Sequence, residues 1–205
     1  MFSEELYPYF HNLSAKVKEE IIGIAKLDFG QPGVNVQDGF YKMGLPDGGS
    51  GTYTGTFPCQ GNTCRIKVSG YTHTRGNYAA VVNNVASLSN LLRSSFLRNS
   101  YGAITVEING LKPSTAYEMK TYHHSSSHPG GGSGFTLQYD GNRINNLKQH
   151  ANGNSPNPPL THTEVVTSNG AGKVSFVMKR VSGGGAHMDL NGLELCTGNR
   201  NLLID

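Results

Sequence analysis

Residues 103–124 read AITVEINGLKPSTAYEMKTYHH, and the fold turns on how this stretch is parsed. Ile104, Val106 and Ile108 alternate with Thr105 and Glu107, and Tyr117, Met119 and Thr121 repeat that alternation after the break NGLKPST. A period of two marks a strand with one face in a core, whereas a helix needs apolar residues three or four apart. Asn-Gly and Lys-Pro supply turn chemistry between the two runs. The stretch therefore reads strand, turn, strand, as a hairpin.

The same pattern extends in both directions. GTYTGTF, residues 51–57, and RIKVSGYTHT, residues 65–74, form a second hairpin, with Tyr53 and Phe57 alternating along one arm and Ile66 and Val68 along the other. GFTLQYDG, THTEVVTS, GKVSFVMKRVSG and AHMDLNGLELCTG read as further strands. VASLSNLLRSSFLRN is apolar at Leu88, Leu91, Leu92 and Phe96, as a short helix or as a loop packed over a sheet edge. Residues 145–161, NNLKQHANGNSPNPPLT, read as an exposed loop. Roughly nine or ten short strands without alternating helices point to an all-β antiparallel sandwich or jelly roll.

One segment breaks the pattern. Leu6, Phe10, Leu13, Val17, Ile21 and Ile24 fall three or four apart, one stripe of a helix. The chain is thus expected to divide into an N-terminal helical segment, 1–25, and a single β-sandwich domain, 26–205. The helix either packs on the body or serves self-association.

Composition narrows the class. The chain has 205 residues, 27 glycines, no tryptophan, 15% charged residues and a formal charge of +3. That balance, with no basic run, excludes a nucleic-acid surface, and no apolar run is long enough for a membrane helix. The opening MFSEELYPYFHNLSAKVKEE lacks the apolar stretch of a signal peptide, so a secreted chain is expected to have lost its signal. Asn12 begins a glycosylation sequon.

Cys59 and Cys64 flank the turn QGNT, and Cys196 is left over. Hairpin flanks come within reach of a disulfide. Two free thiols or a metal pair are the other readings of C-x₄-C. Cys196 is either a buried thiol or a link to another chain.

KLDFG with NVQDGFYKM, residues 26–43, the 104–124 stretch, and MDLNGLEL, residues 188–195, together resemble galactose-binding-like jelly rolls, the fold of malectin-like domains and carbohydrate-binding modules. The resemblance covers residues 26–196. It implies an extracellular β-sandwich whose closing strand lies beside its first, with sugars bound by loops at one end. A structural calcium ion is implied as well, although no D-x-D-x-D cluster is present. INGLKPSTAYEMKTY also resembles a fibronectin type III strand pair, with Tyr117 as a tyrosine corner.

The histidines come last. Alternation sends His123 inward with Met119 and Thr121, and His124 outward with Tyr122. Metal chelation from a strand wants His-x-His, and a serine-hydrolase elbow wants G-x-S-x-G in a strand-to-helix context. Neither is present. The readings left are a metal site, a packed His123 beside an exposed His124, and a polar binding site at a sheet end. Sugar recognition needs the fork of an arginine, single bonds from histidine, and an aromatic face. His73, Arg75, Tyr122, His124 and His187 are the candidates. The expected function is non-catalytic binding of carbohydrate or glycoprotein by a secreted module or matrix domain. The alternatives are a structural subunit of an extracellular assembly or filament, joined through the N-terminal helix or Cys196, and a His/Arg-based hydrolase or lyase.

Overall fold

The computed structural model describes residues 22–31, 33, 35–44, 46, 49–75, 88, 90–93, 95–98, 101–124, 134–139, 142–148, 160–182 and 187–197, and for Ile22, Gly23, Arg75, Arg143, Asn145, Asn146, Lys148 and Ser182 the backbone alone. Fourteen strands lie within them: β1 (Ile22–Asp28), β2 (Tyr41–Lys42), β3 (Gly51–Cys59), β4 (Asn62–Tyr71), β5 (His73–Arg75), β6 (Ser95–Arg98), β7 (Ala103–Asn109), β8 (Ala116–His123), β9 (Gly134–Tyr139), β10 (Asn142–Lys148), β11 (Leu160–Thr167), β12 (Val174–Ser182), β13 (Met188–Leu190) and β14 (Gly192–Thr197). They form a five-stranded sheet, β11-β8-β14-β1-β2, a six-stranded sheet, β10-β9-β12-β7-β4-β3, and a small sheet, β13-β6-β5. Every pairing is antiparallel except β1 with β2. The closing strand β14 does lie beside β1.

Period-two patterning builds the core. Ile66 and Val68 on β4, Ile104, Val106 and Ile108 on β7, and Val174, Phe176 and Met178 on β12 are buried facing Leu27, Met119, Leu193 and Leu195 of the other sheet. Lys67, Glu107 and Lys173 form a charged row outside it, with Lys173 paired to Glu107 and Lys67 Nζ 3.8 Å from the same carboxylate.

The 103–124 stretch is strand, connection, strand, but not a hairpin. β7 belongs to the six-stranded sheet and β8 to the five-stranded one. NGLKPST is an arch that carries the chain across the sandwich. Leu111 is buried beneath it, and the Tyr117 hydroxyl accepts the Lys112 N–H at 3.0 Å. This is the tyrosine corner expected from the fibronectin-like reading, set in a different sandwich.

Other expectations are corrected as well. The proposed helix lies outside the described residues through Ile21, but Ile22–Ala25 are strand, and Ile24 joins the core. Pairing with β14 satisfies these backbone groups, which overrides a short helical spacing. The supposed loop at 145–161 contributes 145–148 to β10 and Leu160 and Thr161 to β11. The apolar run near Leu91 is a 3₁₀ turn, Leu91–Arg93, followed by β6. The last strand splits at Asn191 into β13 and β14, which enter different sheets.

The β3–β4 hairpin is as expected, with a tighter turn than QGNT. Cys59 pairs with Asn62 across Gln60 and Gly61, whose φ angles of 43° and 76° suit a two-residue turn of the hairpin type. Cys59 and Cys64 form a disulfide with Cα atoms 5.7 Å apart. Cys196 is a free, half-buried thiol, and burial, then Glu194 and Glu118, push it up.

Candidate functional site

Polar residues gather where β1, β6 and β8 meet the β13–β14 break. The link begins in the DFG and QDGF motifs. Asp28 ends β1, its Oδ2 accepts the Gln37 N–H at 2.8 Å, and its carbonyl accepts the Met43 N–H at 2.8 Å. Gln37 Oε1 then accepts the Leu91 N–H at 3.3 Å. Asp28 is 1% exposed, and burial lifts its carboxyl from 3.8 to about 6, against the Gln37 amide and Lys42.

Asn191 is the hub. Its backbone N–H donates to the Tyr122 carbonyl at 2.9 Å, and its carbonyl accepts the Phe29 N–H at 3.1 Å. Its Oδ1 accepts the His124 N–H at 2.7 Å, and its Nδ2 donates to the Leu92 carbonyl at 3.5 Å. One side chain thereby ties β8 to the 3₁₀ turn at the point where the chain changes sheets. Gly192 follows because a Cβ there would lie 2.5 Å from the Leu27 carbonyl and 2.6 Å from Leu91 Cδ1.

His123 is fully buried between the sheets, its ring 4.9 Å from that of Phe135. Nδ1 lies 3.0 Å from the Asp189 carbonyl and Nε2 lies 2.8 Å from Thr121 Oγ1. A carbonyl only accepts, so Nδ1 carries the proton and Nε2 accepts from the threonine. That is a neutral imidazole with both nitrogens engaged. Burial lowers its pKa from 6.5 to about 4. The neighbouring Asp189 side chain accepts from Ser95 Oγ at 2.7 Å.

The candidates separate when placed on this frame. Arg75 pairs with Ser95 in the small sheet, so its backbone lies at the Asn191 end with His124. His73, two residues back, is exposed. His187 precedes β13, whose Met188 pairs with Arg98, so it lies at the other end of that sheet and is 6% exposed. Tyr122 sits on the outer face of the five-stranded sheet, where its hydroxyl donates to Glu194 and its ring meets Phe40 edge-on at 6.2 Å. Burial and then Glu194 push its phenol well up.

Strand alternation predicted Tyr122 and His124 in solvent. Both are only 1% exposed. The alternation itself holds, but the face away from the main core is covered too, with Leu91 packed over Gly192 beside Tyr122. Ser95, Asp189 and Asn191 escaped the sequence reading. Their signal was polar residues in otherwise apolar strand runs, SSFL and MDLNGLEL.

Calcium takes about six to eight oxygen ligands. Among the described residues no three His, Cys, Asp or Glu side chains converge. Asp28 Oδ1 is buried with no hydrogen bond, yet it belongs to a lone carboxyl that burial biases toward the neutral form. This donor set does not fit calcium.

No protein-family model matches the chain, and no curated protein matches it either. Its structure is similar to the ANXUR2 extracellular domain from Arabidopsis thaliana (TM-score 0.55, 13% identity over 85% of this chain and 48% of that one). The ANXUR1 extracellular domain from the same plant is similar (TM-score 0.52, 11% identity, 85% and 48% covered). So is a calcium-binding mutant of Bacteroides uniformis beta-glucuronidase 2 (TM-score 0.51, 16% identity, 90% and 19% covered). The fold is that of the galactose-binding-like and malectin-like sandwiches. The chain spans about half the length of the ANXUR domains.

Proposed function

We propose that this protein is a non-catalytic, extracellular carbohydrate-binding sandwich that takes a glycan at the strand ends around Arg75 and Ser95. The observation that carries the reading is the hydrogen-bonded frame through Ser95, His123, Asp189 and Asn191, which makes that end rigid. A preorganised rim loses little entropy on binding. His73, exposed on β5, and Arg75 beside it are the contact residues in this reading. His124, buried beneath, positions the rim through its backbone. The disulfide suits an oxidising compartment, and among the described residues no helix is long and apolar enough to cross a membrane.

The test is a glycan array probed with the full chain, with and without chelator, alongside His73→Ala and Arg75→Ala. A saturable glycan signal lost in both variants and indifferent to chelator is expected. Absence of any glycan signal, together with filaments or disulfide-linked oligomers by light scattering, would replace this reading with the structural one.

A further inference from the structure

A second polar region lies on the side of the sandwich where β2, an edge of one sheet, meets β3, an edge of the other. A cavity of about 220 Å³ opens there, lined by Tyr41, Thr56, Phe57, Pro58, Asn62 and Thr63. Gly55 on β3 lies against the side chain of Met43, the residue that follows β2. A Cβ at Gly55 would collide with Met43 Cε and lie 2.6 Å from the Tyr53 hydroxyl. Phe57, 1% exposed, floors the cavity, while Tyr41 stands 47% exposed beside it.

We propose that this pocket is a subsite for a single neutral hexose ring. The inference rests on the carbohydrate reading above, but uses residues separate from the Arg75 rim. A pyranose needs an aromatic face for its C–H side and hydrogen-bond partners for its hydroxyls. The ring of Tyr41 offers the first. The hydroxyls of Thr56 and Thr63 and the amide of Asn62, all exposed, offer the second. None of the six lining residues is charged, which favours a neutral sugar over a uronic acid. The volume falls below the roughly 300–1,000 Å³ of drug-sized sites, which suits one ring.

Two features fit the wall to this task. The Cys59–Cys64 disulfide and the two-residue turn hold Pro58, Asn62 and Thr63 in place before any ligand arrives. Pro58 has no N–H, so this stretch of the β3 edge is poorly suited to adding a peptide strand. A small ligand, rather than a peptide, is the occupant the geometry favours.

The experiment is an amide-shift titration of the isotope-labelled full chain with methyl glucoside, methyl galactoside and methyl mannoside, and with a methyl glucuronoside as the charged comparison. Saturable shifts at Tyr41, Thr56, Asn62 and Thr63 are expected with at least one neutral hexoside, and weaker ones with the glucuronoside. Tyr41→Ala should weaken binding roughly fivefold to tenfold, the scale of one aromatic contact, while Tyr41→Phe retains it. Asn62→Ala should weaken it without touching the ring. If hexosides shift only residues 73–75 and 95–98, or Tyr41→Ala binds as tightly as the parent, this subsite is wrong and the glycan reading stands. If no sugar shifts any amide, this subsite is wrong, and the glycan array decides the carbohydrate reading separately.

Discussion

At the strand ends around Asn191, histidine, serine, aspartate and asparagine are buried and bonded to one another. At the β2/β3 side, tyrosine, threonine and asparagine stand in solvent around a small cavity. The two regions draw on overlapping chemistry. The first spends its donors and acceptors on the protein, so it can shape a rim but has few groups left for a ligand. The second keeps them free of the core. Residue type therefore does not separate a framework histidine from a ligand-facing one, whereas burial and existing partners do.

The severest break in this comparison is truncation. β1 serves both regions, because Asp28 anchors the polar end and Leu27 pairs with Tyr41 of β2. A chain starting at residue 26 loses the Ile22–Ala25 pairing and the buried Ile24. A chain starting at residue 21 keeps them. The shorter chain should melt without a cooperative transition or lose more than about 4 kcal/mol relative to the longer one. Equal melts would show that β1 matters only from Lys26 onward.

Next in size is His123→Ala. It removes a fully buried ring from Phe135 and leaves the Asp189 carbonyl and Thr121 hydroxyl without that partner. A loss of about 3 kcal/mol in denaturant unfolding is expected. Hexoside affinity at Tyr41 should not change at temperatures where the variant is folded. A destabilisation under about 0.5 kcal/mol would mean that the ring is not part of the frame.

Acid sharpens the contrast through two buried groups of opposite sign. His123 titrates at about 4 in the fold against 6.5 unfolded, so the unfolded chain takes up its proton first. Its contribution is complete above 6.5 and is lost as pH falls toward 4. Asp28 titrates at about 6 in the fold against 3.8 unfolded. Its contribution is complete below 3.8 and is lost as pH rises toward 6. Over the shared window the two oppose each other, and the parent's stability should vary little on their account. Asp28→Asn removes one side, so its stability should climb more steeply than the parent's between pH 4 and 6. Parallel curves for the two proteins would show that Asp28 is not held protonated by burial.

The smallest effect belongs to the exposed region. Tyr41→Ala should shift stability by no more than about 0.5 kcal/mol, as for other surface positions, while changing hexoside binding severalfold. A large loss of stability would assign Tyr41 to the core of the β2/β3 contact instead.

The strands of the body were legible because period-two burial is written directly into the order of residues. Ile104, Val106 and Ile108 announce their face, and the Cys59–Cys64 hairpin announces its own closure. The tyrosine at 117 also carried a usable signal. Two strands, β6 and β10, were not separable from a helix or a loop. Four residues hold too little pattern, and an asparagine-rich edge strand is decided by its neighbour's hydrogen bonds rather than by propensity.

The sequence by itself determined the all-β class, the resemblance to galactose-binding-like sandwiches, the hairpin that carries Cys59 and Cys64, and the inward placement of His123. Each follows from spacing along one strand or across one turn, which is local information. Tertiary structure alone decided that 103–124 arches between two sheets instead of folding back on one. It alone buried Tyr122 and His124, and alone brought Tyr41 against Pro58 and Asn62. An alternating strand specifies two faces but not what will cover the second one. That depends on contacts such as Leu91 over Gly192, between residues about a hundred positions apart, whose meeting no short stretch of sequence encodes.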